Sequence, residues 1–345
     1  MSDPALDALF LPFEQRLLPW PSEGALFLRA RAGVATTGGR WPGLLCAQSF
    51  APAHAELQRA GFETLPVDPE DALPQRLLVL VLPPRQRDEA RAELARALQA
   101  TAPGGWVVAS VANDEGAKSS QDDLARLAGN IAVQSKHKCR VFWAQRDDRA
   151  DTALLARWAA LDAPRAILGG RFVSRPGVFA WDRIDPASAL LAAQLPDTLS
   201  GHVADLGAGY GFLSAELLQR CAGIRALDVV EAEGRALALA RRNLTGLRDD
   251  VTLDFQWADV TRGLSRRYDA IVSNPPFHAQ GRSERPDIGR AFIAAAAGAL
   301  KPGGQLWLVA NRHLPYEEIL GARFAQVREV AAMAGFKIVH AEQPR

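Results

Sequence analysis

Short apolar runs alternate with longer amphipathic stretches through the second half of the chain. The runs at His202–Leu206 (HVADL), Ile224–Val230, Val251–Trp257, Tyr268–Ser273 and Gln305–Ala310 have the length and apolar content of buried strands. An Ala/Leu-rich segment from Phe212 and stretches near Arg235–Asn243 and Ile288–Leu300 read as helices between them. Regular alternation of strand and helix predicts a mostly parallel, doubly wound α/β sheet.

The first half repeats the tail of that pattern. Leu77–Pro84 (LLVLVLPP) reads as a strand, Arg87–Gln99 as a helix, and Trp106–Val111 as a strand preceded by Pro103, Gly104 and Gly105. The second half has Asp269–Pro276 (DAIVSNPP), a helix, then Pro302, Gly303, Gly304 and a strand to Val309. This shared order predicts an internal duplication, although Pro-Gly-Gly after a helix is also ordinary turn chemistry. In the first copy Leu82 and Arg85 stand where the second has Asn274 and Phe277, and no glycine-rich turn follows its early strand Leu44–Ala47. The first copy is therefore expected to be catalytically empty. The expected domains are 1–163 and 164–345, with Pro164–Asp185, rich in Gly, Pro and Arg, as a linker or a substrate-facing hairpin.

A length of 345 residues suits two domains, and 48% hydrophobic with 23% charged residues excludes disordered and fibrous classes. Forty basic against 39 acidic residues leave a net charge of +1, so any nucleic-acid surface must be a local patch. Cys46, Cys139 and Cys221 form no C-x-x-C, which argues against a disulfide framework or a metal site and for a reduced, cytoplasmic protein. The N-terminal MSDPALDALF has no basic leader region, and no apolar run approaches the roughly 18 residues of a membrane span. Secretion and membrane insertion are not expected.

Asp205–Gly211 (DLGAGYG) lies where a strand meets a helix, and Gly207, Gly209 and Gly211 allow a tight turn and a close approach to a ligand. A dinucleotide fingerprint needs a third glycine where Phe212 stands, which weakens NAD or FAD. Glu231, at the end of the next strand, suits ribose hydroxyls, whereas Asp228 reads as a polar strand residue. Together these residues resemble the class I S-adenosylmethionine-dependent methyltransferases, whose first motif is acid-(Leu/Val)-Gly-x-Gly-x-Gly. Glu231–Asn243 (EAEGRALALARRN) looks like their second motif, and Asp259 like the acid that contacts the adenine amine. The resemblance implies S-adenosylmethionine as cofactor, held by Asp205, Gly207, Gly209, Gly211, Glu231, Asp259 and Asn274.

Asn274, Pro275, Pro276 and Phe277 close the fourth strand of this half, at the strand ends where doubly wound sheets bind ligands. An exocyclic amine conjugated to a π system is a poor nucleophile. An Asn oxygen and the Pro275 carbonyl could accept both its N–H groups and aim its lone pair at a methyl donor, catalysis by positioning and electrostatics. The prolines stiffen the loop, and Phe277 offers a stacking face worth about 1–3 kcal/mol per base. The motif resembles the [N/D/S]-P-P-[Y/F/W] signature of methyltransferases acting on planar amines, and Phe277 followed by His278 looks most like the ribosomal RNA guanine-N2 group. Segments Gly177–Asp185, Val309–Tyr316 and Lys136–Phe142 agree with that group.

The resemblance implies two tandem Rossmann-like methyltransferase domains, the N-terminal one degenerate, and methylation of a guanine N2 in ribosomal RNA, most similar to the 16S enzymes. Alternatives are a 23S guanine-N2, adenine-N6 or protein glutamine-N5 enzyme, or an RNA-binding assembly factor with a vestigial pocket. His278, Arg312 and His313 are expected substrate contacts, and Lys136, Lys138 and Arg140 an RNA-recognising surface. Ribosomal RNA or a ribosomal subunit is the expected partner, no membrane is, and a monomer is compatible with the sequence.

Overall fold

The apolar runs form two seven-stranded sheets in the computed structural model, which describes residues 3–36, 39–65, 72–276 and 286–344. The chain divides into two compact units, Met1–Pro164 with Arg175–Gly177, and Arg165–Ser174 with Val178–Arg345.

The first unit runs α1 (Pro4–Glu14), β1 (Ala25–Leu28), β2 (Leu44–Ala47), α2 (Ala51–Arg59), β3 (Glu63–Leu65), β4 (Arg76–Val81), α3 (Arg87–Ala100), β5 (Thr101–Ala112), α4 (Ala117–Ala128), β6 (Ala132–Lys136), β7 (Cys139–Gln145) and α5 (Thr152–Ala159). The second runs β8 (Arg165–Ile167), β9 (Phe172–Ser174), α6 (Pro186–Gln194), β10 (Ser200–Leu206), α7 (Phe212–Arg220), β11 (Gly223–Glu231), α8 (Gly234–Leu244), β12 (Thr252–Trp257), β13 (Tyr268–Ser273), α9 (Pro286–Ala299), β14 (Leu300–Asn311), α10 (Glu317–Arg323), β15 (Phe324–Met333) and β16 (Phe336–Pro344). Sheet orders β3-β2-β1-β4-β5-β7-β6 and β12-β11-β10-β13-β14-β16-β15 are the same order twice. In each, five parallel strands are followed by an antiparallel pair at one edge, the edge hairpin being absent from the sequence reading.

Both sheets bury both faces, which is why their central strands read as nearly continuous apolar runs. In β13, Ala270 and Val272 join the core beneath α6, α7 and α8, while Ile271 joins the one beneath α9 and α10. The two Pro-Gly-Gly segments are not turns before their strands. β5 and β14 begin directly after α3 and α9, and the segments form bulges inside them, with register shifts opposite Arg76–Leu78 and Tyr268–Ala270. Gly104 and Gly303 take positive φ there (78° and 76°), which lets each ladder resume beyond the extra residues.

Register corrects one correspondence. Leu28 pairs with Ala47 and Val81 just as Leu206 pairs with Val230 and Ser273. The counterpart of β10 is thus β1, not Leu44–Ala47, and the glycine turn corresponds to Arg29–Gly33. Arg29 and Arg31 replace Gly207 and Gly209, Phe27 replaces Asp205, and Gln48 replaces Glu231. Arg29 keeps the left-handed conformation (φ 55°) of its glycine counterpart (φ 75°).

The Pro164–Asp185 stretch contains the antiparallel hairpin β8–β9. It packs on α8, where Asn243 accepts the Val173 N–H at 2.7 Å and donates to the carbonyls of Val173 and Tyr210. Arg175 returns to the first unit by pairing with buried Asp162 at 3.0 Å. No described helix is long and apolar enough to cross a membrane.

Asp228, 1% exposed, ties four elements of the second unit together. It accepts from His202 Nε2 (2.8 Å), Gln256 Nε2 (2.8 Å), Arg266 Nη1 (3.0 Å) and the hydroxyl of fully buried Tyr268 (2.9 Å). Asp228→Ala should cost about 1–3 kcal/mol for each polar group left unsatisfied, measured by urea denaturation. A loss below about 0.5 kcal/mol, the range of ordinary surface substitutions, would show that the network adds nothing.

Candidate active site

The turn after β10 is shaped by what packs behind it and by what does not stand in front. At Gly211 the positive φ of 94° disfavours a side chain, and a Cβ would lie 3.3 Å from the Ala240 Cα of α8, tighter than ordinary contact. At Gly209 (φ 58°) a Cβ would meet nothing within 4 Å, so its backbone faces open space. The Gly209 N–H donates to Glu231 Oε2 at 2.8 Å, and the other carboxylate oxygen accepts from Glu233 N at 2.8 Å. Glu231, closing β11, thereby holds the turn, and burial raises its pKa against the pull of these backbone N–H groups.

Asp205 is fully buried beneath the turn. Ser214 donates to its Oδ2 at 2.7 Å, and its Oδ1 has no partner among the described residues. Burial, with a smaller contribution from the charge of Glu231, pushes its pKa up to about 7. The unpartnered oxygen of Asp205 behind an open glycine turn fits the ammonium group of S-adenosylmethionine, and Glu231 at the end of β11 fits its ribose hydroxyls. Asp259 follows β12, the strand beside β11. Its Oδ1 accepts from the Thr261 N–H (2.9 Å) and hydroxyl (2.6 Å), capping a short 3-10 turn.

Asn274 follows β13, the other neighbour of β10. Its Nδ2 donates to Asp185 Oδ2 at 3.0 Å and Ser188 Oγ at 2.8 Å, and its buried Oδ1 has no partner among the described residues. Phe179, Asp185, Ser188, Gly207, Gly209, Tyr210, Phe212 and Asn274 line one cleft open to solvent. Phe179 is 67% exposed, a large apolar side chain at a polar site. Phe277 and His278 lie outside the described residues.

The expected RNA contacts are more scattered. Arg312 and His313 are exposed in the turn that ends β14, at the same edge of the sheet as Asn274. Lys136, Lys138 and Arg140 belong to the β6–β7 hairpin of the first unit. There both lysines are exposed, while half-buried Arg140 donates to Gln121 Oε1 at 2.7 Å. Residues missed by the sequence reading are Ser214, Ser188 and Asp185. Asp185-Pro186 did carry a signal, since Asp before Pro is a helix-start signature, but its contact with Asn274, 89 residues away, did not show.

A glycine turn after the first parallel strand, an acid closing the second, and Asn-Pro-Pro closing the fourth define a class I S-adenosylmethionine-dependent methyltransferase. The family model of the methyltransferase small domain matches residues 169–340. Ribosomal RNA small subunit methyltransferase C of Sodalis glossinidius is 31% identical over 260 residues, 75% of this chain and 71% of that protein. Its counterpart in Shewanella pealeana is 32% identical over 240 residues, 68% of each chain. Among solved structures, the T. thermophilus 16S rRNA N2 G1207 methyltransferase in complex with AdoMet and guanosine matches with a TM-score of 0.80 and 26% identity, covering 99% of this chain and 92% of that one. The chain belongs to the ribosomal RNA small subunit methyltransferase C family, and its cofactor is S-adenosylmethionine.

The raised pKa of Asp205 has two measurable consequences. Its folded value of about 7 exceeds the unfolded value of about 3.9, so the folded state binds the extra proton. That stability is fully present below the unfolded value and is lost as pH rises through about 7. Over the same window the carboxyl ionises and should bind the cationic cofactor more tightly. Thermal denaturation of the free protein and cofactor calorimetry from pH 5 to 9 should thus move in opposite directions, and Asp205→Asn should flatten both. Pronounced pH dependence surviving in that variant would assign the effect to another group.

Proposed function

We propose that the protein transfers the methyl group of S-adenosylmethionine to the exocyclic N2 of one guanine in 16S ribosomal RNA. The observation that carries this reading is Asn274: an amide at the carboxyl end of β13, beside the cofactor turn, with its oxygen buried and unpartnered among the described residues. The likeness to a 16S guanine-N2 enzyme bound to guanosine supports the same acceptor.

The cofactor supplies an electrophilic methyl on a sulfonium. Asp205, Glu231, Asp259 and the turn of Gly207, Gly209 and Gly211 hold it. Asn274 Oδ1 and the Pro275 carbonyl accept the two N2–H groups and draw the nitrogen lone pair out of conjugation toward the methyl. Asn274 and Pro275 act on the amine, Pro276 stiffens the loop, and Phe277 stacks on the base. No strong base is needed, because the methylated, positively charged nitrogen is acidic. The guanine must leave its stack to reach the cleft, at a cost of a few kcal/mol, and His278, Arg312 and His313 contact the strand around it.

The first unit keeps the fold but has Phe27, Gln48, Arg29, Arg31 and Leu82 in place of Asp205, Glu231, Gly207, Gly209 and Asn274. Its role is RNA recognition, with Lys136, Lys138 and Arg140 on the contacting hairpin. The division of labour falls near residue 164, catalysis residing in 164–345. The protein acts in the cytoplasm, on 16S RNA alone or within the small subunit.

Asn274→Ala should lower kcat by about 100-fold or more while changing the Kd for S-adenosylmethionine only a few-fold, read by calorimetry beside methylation of 16S RNA and mapping of the modified nucleotide. Parental turnover in this variant, or methyl groups at adenine N6, would reject the reading. Charge reversal at Lys136, Lys138 and Arg140 together should weaken RNA binding and flatten its salt dependence; an unchanged filter-binding salt titration would place the RNA surface elsewhere.

A further inference from the structure

We propose that Asp185 and Ser188 are positioning residues that lock the rotation of the Asn274 amide, so that its oxygen and not its nitrogen faces the acceptor amine. The inference deepens the functional reading above and rests on it. A primary amide is almost symmetric in shape, and a half turn exchanges acceptor for donor. With the nitrogen forward, Asn274 would present N–H groups to the N–H groups of the base and could not draw out the lone pair.

An ionised carboxylate only accepts hydrogen bonds, so Asp185 Oδ2, 3.0 Å from the amide, selects the nitrogen as its neighbour. That oxygen is itself fixed, since it also accepts the Ser188 N–H at 2.9 Å as the cap of α6. Ser188 Oγ accepts the second amide hydrogen at 2.8 Å. Both hydrogens of Asn274 are thereby used within the protein, and the buried oxygen is left for a ligand.

The duplication supplies an internal control. In the first unit Asp3 caps α1 as Asp185 caps α6, accepting the Leu6 N–H at 3.2 Å, and proline follows in both. Those helices pack on corresponding strands, α1 on β5 and β7, α6 on β14 and β16. The cap survives in both copies, but the contact to a motif asparagine does not. Leu82 stands for Asn274, Leu6 for Ser188, and the second oxygen of Asp3 is taken by Arg31 at 2.9 Å, the residue replacing Gly209. The serine is present where the asparagine is present, and capping explains neither.

The test uses the full chain with 16S RNA as methyl acceptor. Asp185→Asn preserves the cap but offers Asn274 either end of an amide. It should lower kcat by about tenfold or more, leaving the melting temperature unchanged and the Kd for S-adenosylmethionine and the KM for RNA within about twofold of the parent. Ser188→Ala should lower kcat by a smaller factor in the same way, and guards against misfolding of the first variant. The exchange Asp185→Asn with Asn274→Asp should recover most of the rate lost by either single change, because the amide now at 185 donates to the carboxylate at 274 and one carboxylate oxygen still faces the amine. Unchanged kcat in both single variants of an active enzyme, an exchange no faster than the singles, or a rise in cofactor Kd matching the loss of rate would overturn the proposal. A parent that methylates no guanine N2 would overturn the functional reading and this inference together.

Discussion

The pairing of Leu206 with Ser273 is the contact on which the site depends. It joins two strands at the point where the sheet order reverses, between β10 and β13, and there the connections leave in opposite directions and open a crevice. Ser273 Oγ reinforces it, donating to the Leu206 carbonyl at 2.7 Å across 67 residues of sequence. One residue beyond the pair stand Gly207 and Asn274, so close that a Cβ on the glycine would lie 3.8 Å from the Asn274 carbonyl oxygen. Methyl donor and acceptor amine are brought together by a ladder register, and a slip by one residue would turn both side-chain sets to the wrong face.

Asp205 Oδ1 and Asn274 Oδ1 are buried acceptors without partners among the described residues, at positions where native proteins ordinarily pair every polar atom. Such a site tends to collapse unless its surroundings are rigid. Here both faces of the sheet are packed, Asp228 knots the strands, and Glu231 and Asn243 pin the glycine turn at Gly209 and Tyr210. This connectivity holds the side chains around the crevice in place.

The first unit shows what the same backbone does when that demand is removed. Phe27 fills the place of the buried aspartate, Gln48 turns its amide onto the Ala30 carbonyl at 2.7 Å, and Arg29 pairs with Glu89 at 2.9 Å. Gln48 still accepts the Phe50 N–H at 2.9 Å, as Glu231 accepts that of Glu233 at 2.8 Å. Backbone geometry is preserved while the carboxylates of the cofactor site are replaced by neutral groups.

Much of this was legible in the residues themselves. The strands of the second unit fall within a few residues of their expected places, because buried parallel strands leave uninterrupted apolar runs between helices. The glycine turn and Asn-Pro-Pro were visible because their chemistry is local. The antiparallel edge β15–β16 was not: in β15 most residues are exposed, and its apolar signal is weak. Nor was the true partner of β10 in the first unit, since arginines in place of glycines erase the motif while the register that defines the correspondence survives only in space. The orientation of Asn274 lay furthest from the sequence. Residue identity determined that an amide ends β13, but the end of that amide facing the cleft is decided by a carboxylate 89 positions earlier, and hydrogen-bond direction between distant side chains leaves no periodicity to read.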